Sequence, residues 1–430
     1  MPVSRLKVLM LAFIASLGAV QAPAQTQSGQ ADTYRGGGPV TTLPPGVELR
    51  PGALLQVDYR YFSESERADN RFDLRRARLS VQGRLGPSTR YRFEYEFQGN
   101  EARNLTDGYV EFNPRSQLAV RLGQFKEPFG LEWQTGTGDL FHAERSLAFS
   151  LGPGRDVGAM ARATLFDEVL MLDGGVFNGD GSDGSSRGSE SDSPEWAARG
   201  VVAPLRLVSG SRFGDLRLGA SVTTADIDLA NVNLEVKSTG MFGTARSLYV
   251  LNRNSKFGVL QAAGSRTRVG LEAAWALGPV AFQAEQVHLT YTDLETSGGE
   301  RRDAELRSWY VSGLVLVTGE RPSYSGGRLQ PVVPRRPLSE GGWGTVGLAL
   351  RLEHFEGDED WIVENTFVSV AKANAWGAAL VWLPETHLRL LVDYSCTTFS
   401  DPLRLRVNPD GSVDFADSER VLTGRLQFSF

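Results

Sequence analysis

From Gly52 to the last residue, apolar and polar side chains alternate with a period of two, in short segments separated by turn-forming residues. Between Phe72 and Leu85, for example, Leu79 and Val81 share one face while Arg78 lies on the other. Successive side chains of a β-strand point to opposite faces, so this pattern predicts an all-β chain. Strands that are apolar on one face and charged on the other fit a membrane barrel, and they also fit a soluble sandwich.

The lengths of the connections favour the barrel. Short links alternate along the chain with long polar ones. The short links are residues 86–88, 113–115, 166–167, 278–279 and 384–385, and the long ones are residues 63–70, 178–194, 293–303 and 397–418. Outer-membrane barrels have short periplasmic turns and long external loops, so the alternation predicts a transmembrane antiparallel β-barrel.

Counting these segments predicts about sixteen strands, a barrel wide enough for a water-filled channel. We place the strands near residues 52–62, 71–85, 89–98, 105–113, 116–123, 156–165, 168–177, 196–207, 213–223, 266–277, 279–292, 305–318, 342–354, 366–383, 386–396 and 419–430. Two regions stay ambiguous. Ala225 to Ser265 must hold a loop and has room for another pair of short strands. Glu320 to Gly342 is long for a periplasmic turn, so either the count is off by one there or the segment folds inward.

The N-terminal region predicts export. Arg5 and Lys7 precede a short apolar run that ends in small residues, which is typical of a signal peptide spanning residues 1–24. Residues 25–51 are rich in Gln, Gly, Thr and Pro and predict a flexible periplasmic lead-in. The remaining residues, 52–430, form the barrel domain in this interpretation.

The C-terminal strand also indicates export, and it points to the outer membrane. Leu426, Phe428 and Phe430 share one face, while Arg425 and Gln427 lie on the other. An aromatic residue at the very end of an alternating strand resembles the assembly signal of bacterial outer-membrane proteins. The chain is therefore predicted to reside in the cell outer membrane.

One connection differs from all the others. Gly123 to Met160 joins two predicted strands through about thirty residues, well beyond the roughly 2–5 of a hairpin loop. It carries eight large apolar residues that need a surface to pack on: Phe125, Phe129, Leu131, Trp133, Leu140, Phe141, Leu147 and Phe149. We interpret it as a constriction loop that folds back into the barrel, with Gly130–Ser150 shaping the narrowing.

The cations of the predicted lumen form one dense group. Arg76 and Arg78 are expected to face inward, and further arginines follow along the same wall: Arg84, Arg90 and Arg92. Guanidinium groups bind oxyanions in bidentate fashion and stay charged, so a row of them could pass an anion along the pore. The alternative is that these arginines form ordinary lumenal ion pairs with Glu94, Glu96, Asp107 and Glu111. Residue types alone leave both interpretations open.

The constriction loop and its roots add three cations, Lys126, Arg145 and Arg155. Five carboxylates accompany them: Glu127, Glu132, Asp139, Glu144 and Asp156. Some of these charges must form salt bridges that hold the loop against the wall, and for Arg155 and Asp156 we expect a structural pair.

No feature predicts catalysis, a cofactor or a metal site. The net charge is −6 with no basic tail, which argues against nucleic acid as a partner. Cys396 is the only cysteine, and the four histidines are far apart in sequence. The G-x-S-x-G match at residues 184–188 lies in a Gly/Ser-rich loop, and residues 180–184 lack the downstream Glu of a calcium loop. The chain is therefore not expected to be an enzyme.

Several sequence blocks, in order, resemble the phosphate-selective porin O and P family. The blocks are Phe72–Arg78, Gly123–Phe129, Glu144–Leu147, Pro153–Gly158, Tyr310–Glu320, Gly341–Trp343 with Leu350–Arg351, and Arg425–Phe428. The resemblance implies a trimeric, sixteen-stranded outer-membrane channel in which wall arginines and a lysine near the constriction select anions, phosphate above all. It matches Arg75 and Arg76 to the paired arginines, Lys126 to the lysine, and Arg155 to an arginine at the loop end.

The sequence thus predicts a passive porin that admits small anions, with phosphate or a related oxyanion as the expected substrate. Its predicted anion-selecting residues are Arg75, Arg76, Arg78, Arg84, Arg92, Lys126, Arg145 and Arg155. Expected partners are small anions, outer-membrane lipid, lipopolysaccharide and two further copies in a homotrimer. The alternatives are a weakly selective diffusion porin and, from other classes, a barrel with an enzymatic or adhesive role.

Overall fold

The structure is a computed structural model that describes residues 40–43, 46–63, 70–98, 105–179, 193–208, 215–227, 234–241, 247–251, 254–363, 369–407 and 410–430. The predicted signal peptide, most of the lead-in and the two sequence matches within residues 180–188 lie outside these ranges. No helix within them is long and apolar enough to cross a membrane.

Within the described residues, sixteen long strands make up the wall. They are β1 Val47–Ser63, β2 Arg71–Leu85, β3 Thr89–Glu96, β4 Leu105–Arg115, β5 Leu118–Lys126, β6 Arg155–Leu165, β7 Leu170–Phe177, β8 Glu195–Val202, β9 Asp215–Asp226, β10 Ser265–Leu277, β11 Val280–Thr296, β12 Arg301–Leu316, β13 Thr345–Glu356, β14 Lys372–Glu385, β15 Leu388–Val407 and β16 Val413–Ser429. The predicted strand number is confirmed.

Shorter elements precede the first of these strands or lie between them. Short strands are Thr41–Leu43, Leu234–Val236, Tyr249–Leu251, Asn254–Ser255, Gly258–Ala262, Tyr324–Ser325 and Arg328–Leu329. A single α-helical turn spans Leu131–Gln134, and 3₁₀ turns span Thr137–Asp139, Leu147–Leu151, Pro204–Leu207, Thr239–Met241, Leu338–Glu340 and Glu359–Trp361.

The sheet closes on itself. Each strand pairs antiparallel with the next, and β1 pairs with β16 from Leu54↔Ser429 to Ser63↔Arg420. The backbone N–H of Phe430 also donates to Ala53 O at 3.2 Å, so the terminal residue takes part in the closure. Closure leaves no unpaired strand edge among the described wall strands, which a membrane-spanning sheet requires.

Alternation places apolar side chains on the outside and polar ones inside. On β1, Leu55 and Tyr59 are exposed on the outer surface, while Gln56, Asp58 and Arg60 are almost completely buried in the lumen. Because the lumen is polar and the outer band is apolar, the predicted amphipathic pattern is confirmed.

Two connections predicted as long external loops are mostly strand. β11 continues to Thr296 and β12 starts at Arg301, so only four residues join them. Likewise, β15 extends to Val407 and β16 begins at Val413. Residues 293–303 contain one large apolar side chain, Leu294, and residues 397–418 are interrupted by Pro402, Pro409 and Gly411. Neither stretch therefore shows an uninterrupted alternating pattern, although backbone pairing continues. The first strand also begins at Val47, five residues before the predicted start.

Three segments lie inside the barrel. The structure limits the constriction loop to residues 127–154, between the end of β5 and the start of β6. It enters from the end that carries the long loops, as predicted. The upper segment, residues 234–241 and 247–251, enters from the same end, and its Val236 and Tyr249 are fully buried in the same apolar cluster as Leu147 of the constriction loop. The lower segment, residues 320–342, enters from the end of the short turns.

The lower segment resolves the ambiguity in the strand count. It forms a small hairpin, Tyr324–Ser325 paired with Arg328–Leu329. The Tyr324 hydroxyl donates to Phe282 O on β11 at 3.0 Å, and the N–H of Leu329 donates to Thr135 Oγ1 of the constriction loop at 3.4 Å. The count of sixteen therefore holds, and the long periplasmic connection folds inward.

Candidate functional site

The constriction loop packs on the barrel wall through its apolar residues. Seven of the eight large apolar side chains predicted to need a packing surface are buried, and Phe149 is half-buried. Leu147 and Leu151 pack among residues of β11–β13, and Leu131 and Phe141 pack against β10, β12 and the lower segment. The loop therefore covers the β10–β14 side of the lumen.

Glu144 is the main ionic anchor of the loop. Its carboxylate lies 2.6 Å from Arg75 Nε, 2.9 Å from Arg60 Nη2, 3.0 Å from Arg425 Nη2 and 3.7 Å from Arg76 Nη2. Burial alone would raise the pKa of Glu144, but the surrounding guanidinium groups outweigh burial and hold it well below the usual range. The Arg75–Arg76 pair thus fastens the loop to the wall.

A β-bulge explains how neighbouring arginines both reach the lumen. Gln56 on β1 pairs with Arg76, whereas the next residue, Val57, pairs with Leu74, so Arg75 is the extra residue of β2. A bulge breaks strict alternation and turns the extra side chain toward the face it would otherwise avoid. Strict alternation had predicted only Arg76 and Arg78 on the inside.

Backbone contacts complete the docking of the loop. Three wall carboxylates accept loop N–H groups: Glu285 from Leu131 (2.6 Å) and Glu132 (2.7 Å), Glu353 from Leu147 (2.7 Å), and Asp393 from Ala143 (2.7 Å). Three wall arginines donate to loop carbonyls: Arg351 to Glu144, Arg389 to Gly138 and Leu140, and Arg425 to Ala143. The loop is therefore held in one position from several sides.

On the opposite side of the loop a cleft remains between it and the wall of β2–β6. Five cations and three carboxylates line this cleft, together with the loop backbone at residues 136–138. The cations are Arg78, Arg92, Lys126, Arg155 and Arg328, and the carboxylates are Glu94, Asp107 and Asp139. Cations exceed carboxylates, so the lining carries a net positive charge.

The wall arginines of this cleft are ordered by the carboxylates. Arg92 Nη2 lies 2.5 Å from Glu94 and its Nε 3.3 Å from Asp107, while Arg155 Nε lies 2.8 Å from the other oxygen of Asp107. Arg78 bonds Glu96 at 2.6 Å. The ion pairs anticipated in the alternative interpretation are thus present, and they fix the guanidinium planes along the cleft.

Three cations from the loop and its roots surround one indole. Lys126 Nζ and the guanidinium carbons of Arg145 and Arg155 each lie 5.5 Å from the centre of the Trp133 ring, within cation–π range. Lys126 also donates to Thr135 O at 3.2 Å. Burial, together with repulsion from Arg155 and Arg78, lowers the pKa of Arg145 to about 10, so this side chain is still protonated at neutral pH.

The structure brings together only some of the predicted residues. Arg78, Arg92, Lys126 and Arg155 line one cleft, and Arg145 lies behind it against Trp133. Arg75 and Arg76 instead contact Glu144. Arg84 pairs in register with Arg90 near the short turn that follows β2 and is not among the cleft residues.

One expected pair is wrong, and one cleft residue was missed. Arg155 bonds Asp107, whereas Asp156 accepts the N–H of Gly179 at 2.6 Å, because adjacent strand residues point to opposite faces. Arg328 was not predicted to line the pore, because the sequence left open whether residues 320–342 fold inward or reflect an error of one in the strand count. The unusual length of that segment was the only available signal.

The described residues contain no cluster of three or more His, Cys, Asp or Glu side chains suited to a metal ion. His142 lies 3.1 Å from Asp393 and helps to dock the loop, and Cys396 is buried.

We expect acidification to undock the constriction loop only at pH values below the ordinary carboxyl pKa, because the pKa of Glu144 is lowered. A carboxylate with a depressed folded-state pKa stabilises the docked loop fully above 4.5, and this stabilisation is lost as the pH falls through the lower, folded-state value. We expect single-channel conductance to stay constant from about pH 7 to about pH 5 and to rise on further acidification. The variant Glu144→Gln should lack this acid transition; a transition of equal size in the variant would assign it to another group.

Comparison with known proteins agrees with this architecture. The family model described as "Phosphate-selective porin O and P" matches residues 50–430. Porin O of Pseudomonas aeruginosa is 26% identical over 89% of this chain and 92% of its own length. An uncharacterized protein of Caulobacter vibrioides is 28% identical over 83% of this chain and 68% of its own.

Solved structures share the fold at low sequence identity. The outer-membrane channel DcaP of Acinetobacter baumannii has a TM-score of 0.53 and 12% identity, covering 91% of this chain and 99% of its own. The anion-selective porin of Comamonas acidovorans has a TM-score of 0.51 and 13% identity, covering 89% and 100%. With a family match across the whole barrel, the chain belongs to the phosphate-selective porin O and P family and is an outer-membrane β-barrel porin.

Proposed function

We propose that this porin passes small anions passively, phosphate among them, through the cleft between the constriction loop and the β2–β6 wall. The observation that carries the proposal is the lining of that cleft, where five cations face three carboxylates. A surplus of fixed positive charge at a narrow, partly desolvated passage attracts anions and repels cations. Membership of a family described as phosphate-selective, and a fold shared with the anion-selective Comamonas porin, support the same proposal.

The wall below the cleft extends the path toward the short-turn end. Gln82 lies opposite Arg92 in register, and Arg84 and Arg90 follow these two along the lumenal faces of β2 and β3. Arg84 and Arg90 lie opposite each other in register, and Arg90 is 3.8 Å from Glu111. In this proposal an anion that leaves the cleft next meets these two guanidinium groups.

A weakly selective diffusion porin is the second candidate. It is favoured by the ion pairs of Arg92 and Arg155, which already neutralise part of the positive charge. The two candidates can be distinguished by titrating phosphate into a chloride solution while the current through the full chain is recorded in planar bilayers. A phosphate-binding cleft predicts saturable block of the chloride current, whereas a diffusion porin predicts a current that follows bulk conductivity.

Three features of the mature protein belong to the same proposal. We infer cleavage after Ala24, assembly as a homotrimer, and contact of the outer apolar band with membrane lipid and lipopolysaccharide. N-terminal sequencing of the protein purified from outer membranes tests the first. Native mass spectrometry with and without lipopolysaccharide tests the other two, since a purely monomeric species would contradict the trimer.

A further inference from the structure

The lower segment contributes a cation to the cleft from the opposite end of the barrel. Its hairpin turn consists of Gly326 and Gly327, both with positive φ (57° and 73°), and the following residue is Arg328. Arg328 is 8% exposed and lines the cleft beside the loop backbone at residues 136–138. The period-two alternation identifies lumen-facing residues only in the wall strands, so it did not predict that Arg328 lines the pore.

The hairpin is fixed by contacts that do not use the Arg328 side chain. Arg199 Nη2 on β8 donates to Gly327 O at 2.6 Å, and the Tyr324 hydroxyl bonds β11. A Cβ on Gly327 would lie only 2.8 Å from Arg199 Nη1, so the turn fits closely against the wall. The backbone therefore carries the Arg328 side chain to one defined place in the lumen.

Arg328 adds to a lining in which cations already outnumber carboxylates. Four other cations and three carboxylates line the cleft, so Arg328 raises the surplus of positive charge from one to two. An anion in the cleft interacts favourably with that surplus.

We propose that Arg328 is a selectivity-determining residue, so that the anion site consists of three separate parts: the β2–β6 wall, the constriction loop and the lower segment. This inference rests on the proposed function and extends it to a residue from the short-turn side. The ligand class is a small inorganic anion, with phosphate as the test case. The lower segment then acts as a second rigid boundary of the passage, beside the loop turn at residues 136–138.

Three variants test this assignment in the full chain. Arg328→Gln removes the charge, Arg328→Lys keeps it, and Arg336→Gln removes the same charge from an exposed position of the same segment. Each is reconstituted in planar bilayers, where only folded channels conduct. The readouts are the reversal potential in a KCl gradient and the concentration of inorganic phosphate that halves the chloride current.

We expect Arg328→Gln to weaken phosphate block about fivefold and to lower the chloride-over-potassium preference, as loss of one charge near the anion requires. Arg328→Lys should retain most of the preference, and Arg336→Gln should match the wild type. An anion-selective wild type with an unchanged Arg328→Gln variant overturns this inference alone. A wild type without anion preference overturns the proposed function together with it.

Discussion

Replacing Glu144 by Gln is expected to undock the constriction loop and raise single-channel conductance several-fold. The substitution leaves Arg60, Arg75, Arg76 and Arg425 around a neutral side chain, with Asp58 as the nearest remaining carboxylate. Removing one partner of a buried ionic network costs about 3–5 kcal/mol, because the remaining charges stay buried without compensation. These wall guanidinium groups then lack the loop carboxylate that compensated them, so a loop position that admits water and mobile anions to them becomes favoured.

The change should also make the lumen more positive, so conductance and anion preference rise together. Limited proteolysis supplies a second readout, since residues of an undocked loop become accessible to cleavage. Glu340→Gln is the matched control, because it removes the same charge from an exposed position on the 3₁₀ turn Leu338–Glu340. Wild-type conductance in the Glu144→Gln variant would show that Glu144 does not hold the loop.

The second large effect is expected from Lys126→Gln. Lys126 lies at the root of the loop, in register with Arg155, and its Nζ reaches Thr135 O and approaches the Trp133 ring. Glutamine keeps a donor for the carbonyl but removes the charge that a phosphate would meet. We expect the phosphate concentration for half-block to rise about tenfold, equivalent to about 1.4 kcal/mol.

Lys372→Gln provides the control for this change. Lys372 is half-exposed at the start of β14, where it lies 3.3 Å from Glu356, far from the cleft lining. The Lys372→Gln substitution removes the same charge and should leave the phosphate block of the chloride current unaltered. Equal block in Lys126→Gln and the wild type would exclude Lys126 from the anion site, whatever the selectivity of the pore as a whole.

Wall strands could be predicted because the bilayer imposes a simple rule. Apolar side chains must face lipid and backbone groups must pair, so Leu55, Tyr59 and their counterparts mark each strand directly. The extensions of β11, β12, β15 and β16 were not predicted, because polar residues, Pro402 and Gly411 interrupt the alternation there, although the backbones remain paired.

The interior was harder to predict, because inward contacts depend on three-dimensional packing. The constriction loop could be identified from its unexplained apolar residues, and Leu147 and Phe141 are indeed buried. Arg75 faces inward only because of a bulge, which local composition does not reveal. Arg328 enters the cleft only because the lower segment folds inward, and that fold depends on distant partners such as Arg199 and Thr135.

Two groups of lumenal arginines have different roles. Arg60, Arg75, Arg76 and Arg425 surround Glu144 and hold the loop. A second group lines the cleft and is oriented by Glu94 and Asp107. In the proposed function the first group sets the size of the passage and the second sets its charge. Substitutions in the first group should therefore act chiefly on conductance, and substitutions in the second chiefly on selectivity.

The zero-current reversal potential tests the central proposal most directly. The purified full chain is reconstituted in a planar bilayer that separates two KCl solutions of unequal concentration. A positively charged cleft predicts a potential whose sign reports chloride moving more readily than potassium, with a size that falls as salt screens the lining. A potential of the opposite sign, reporting preferred passage of potassium, would contradict the proposal that this porin selects anions.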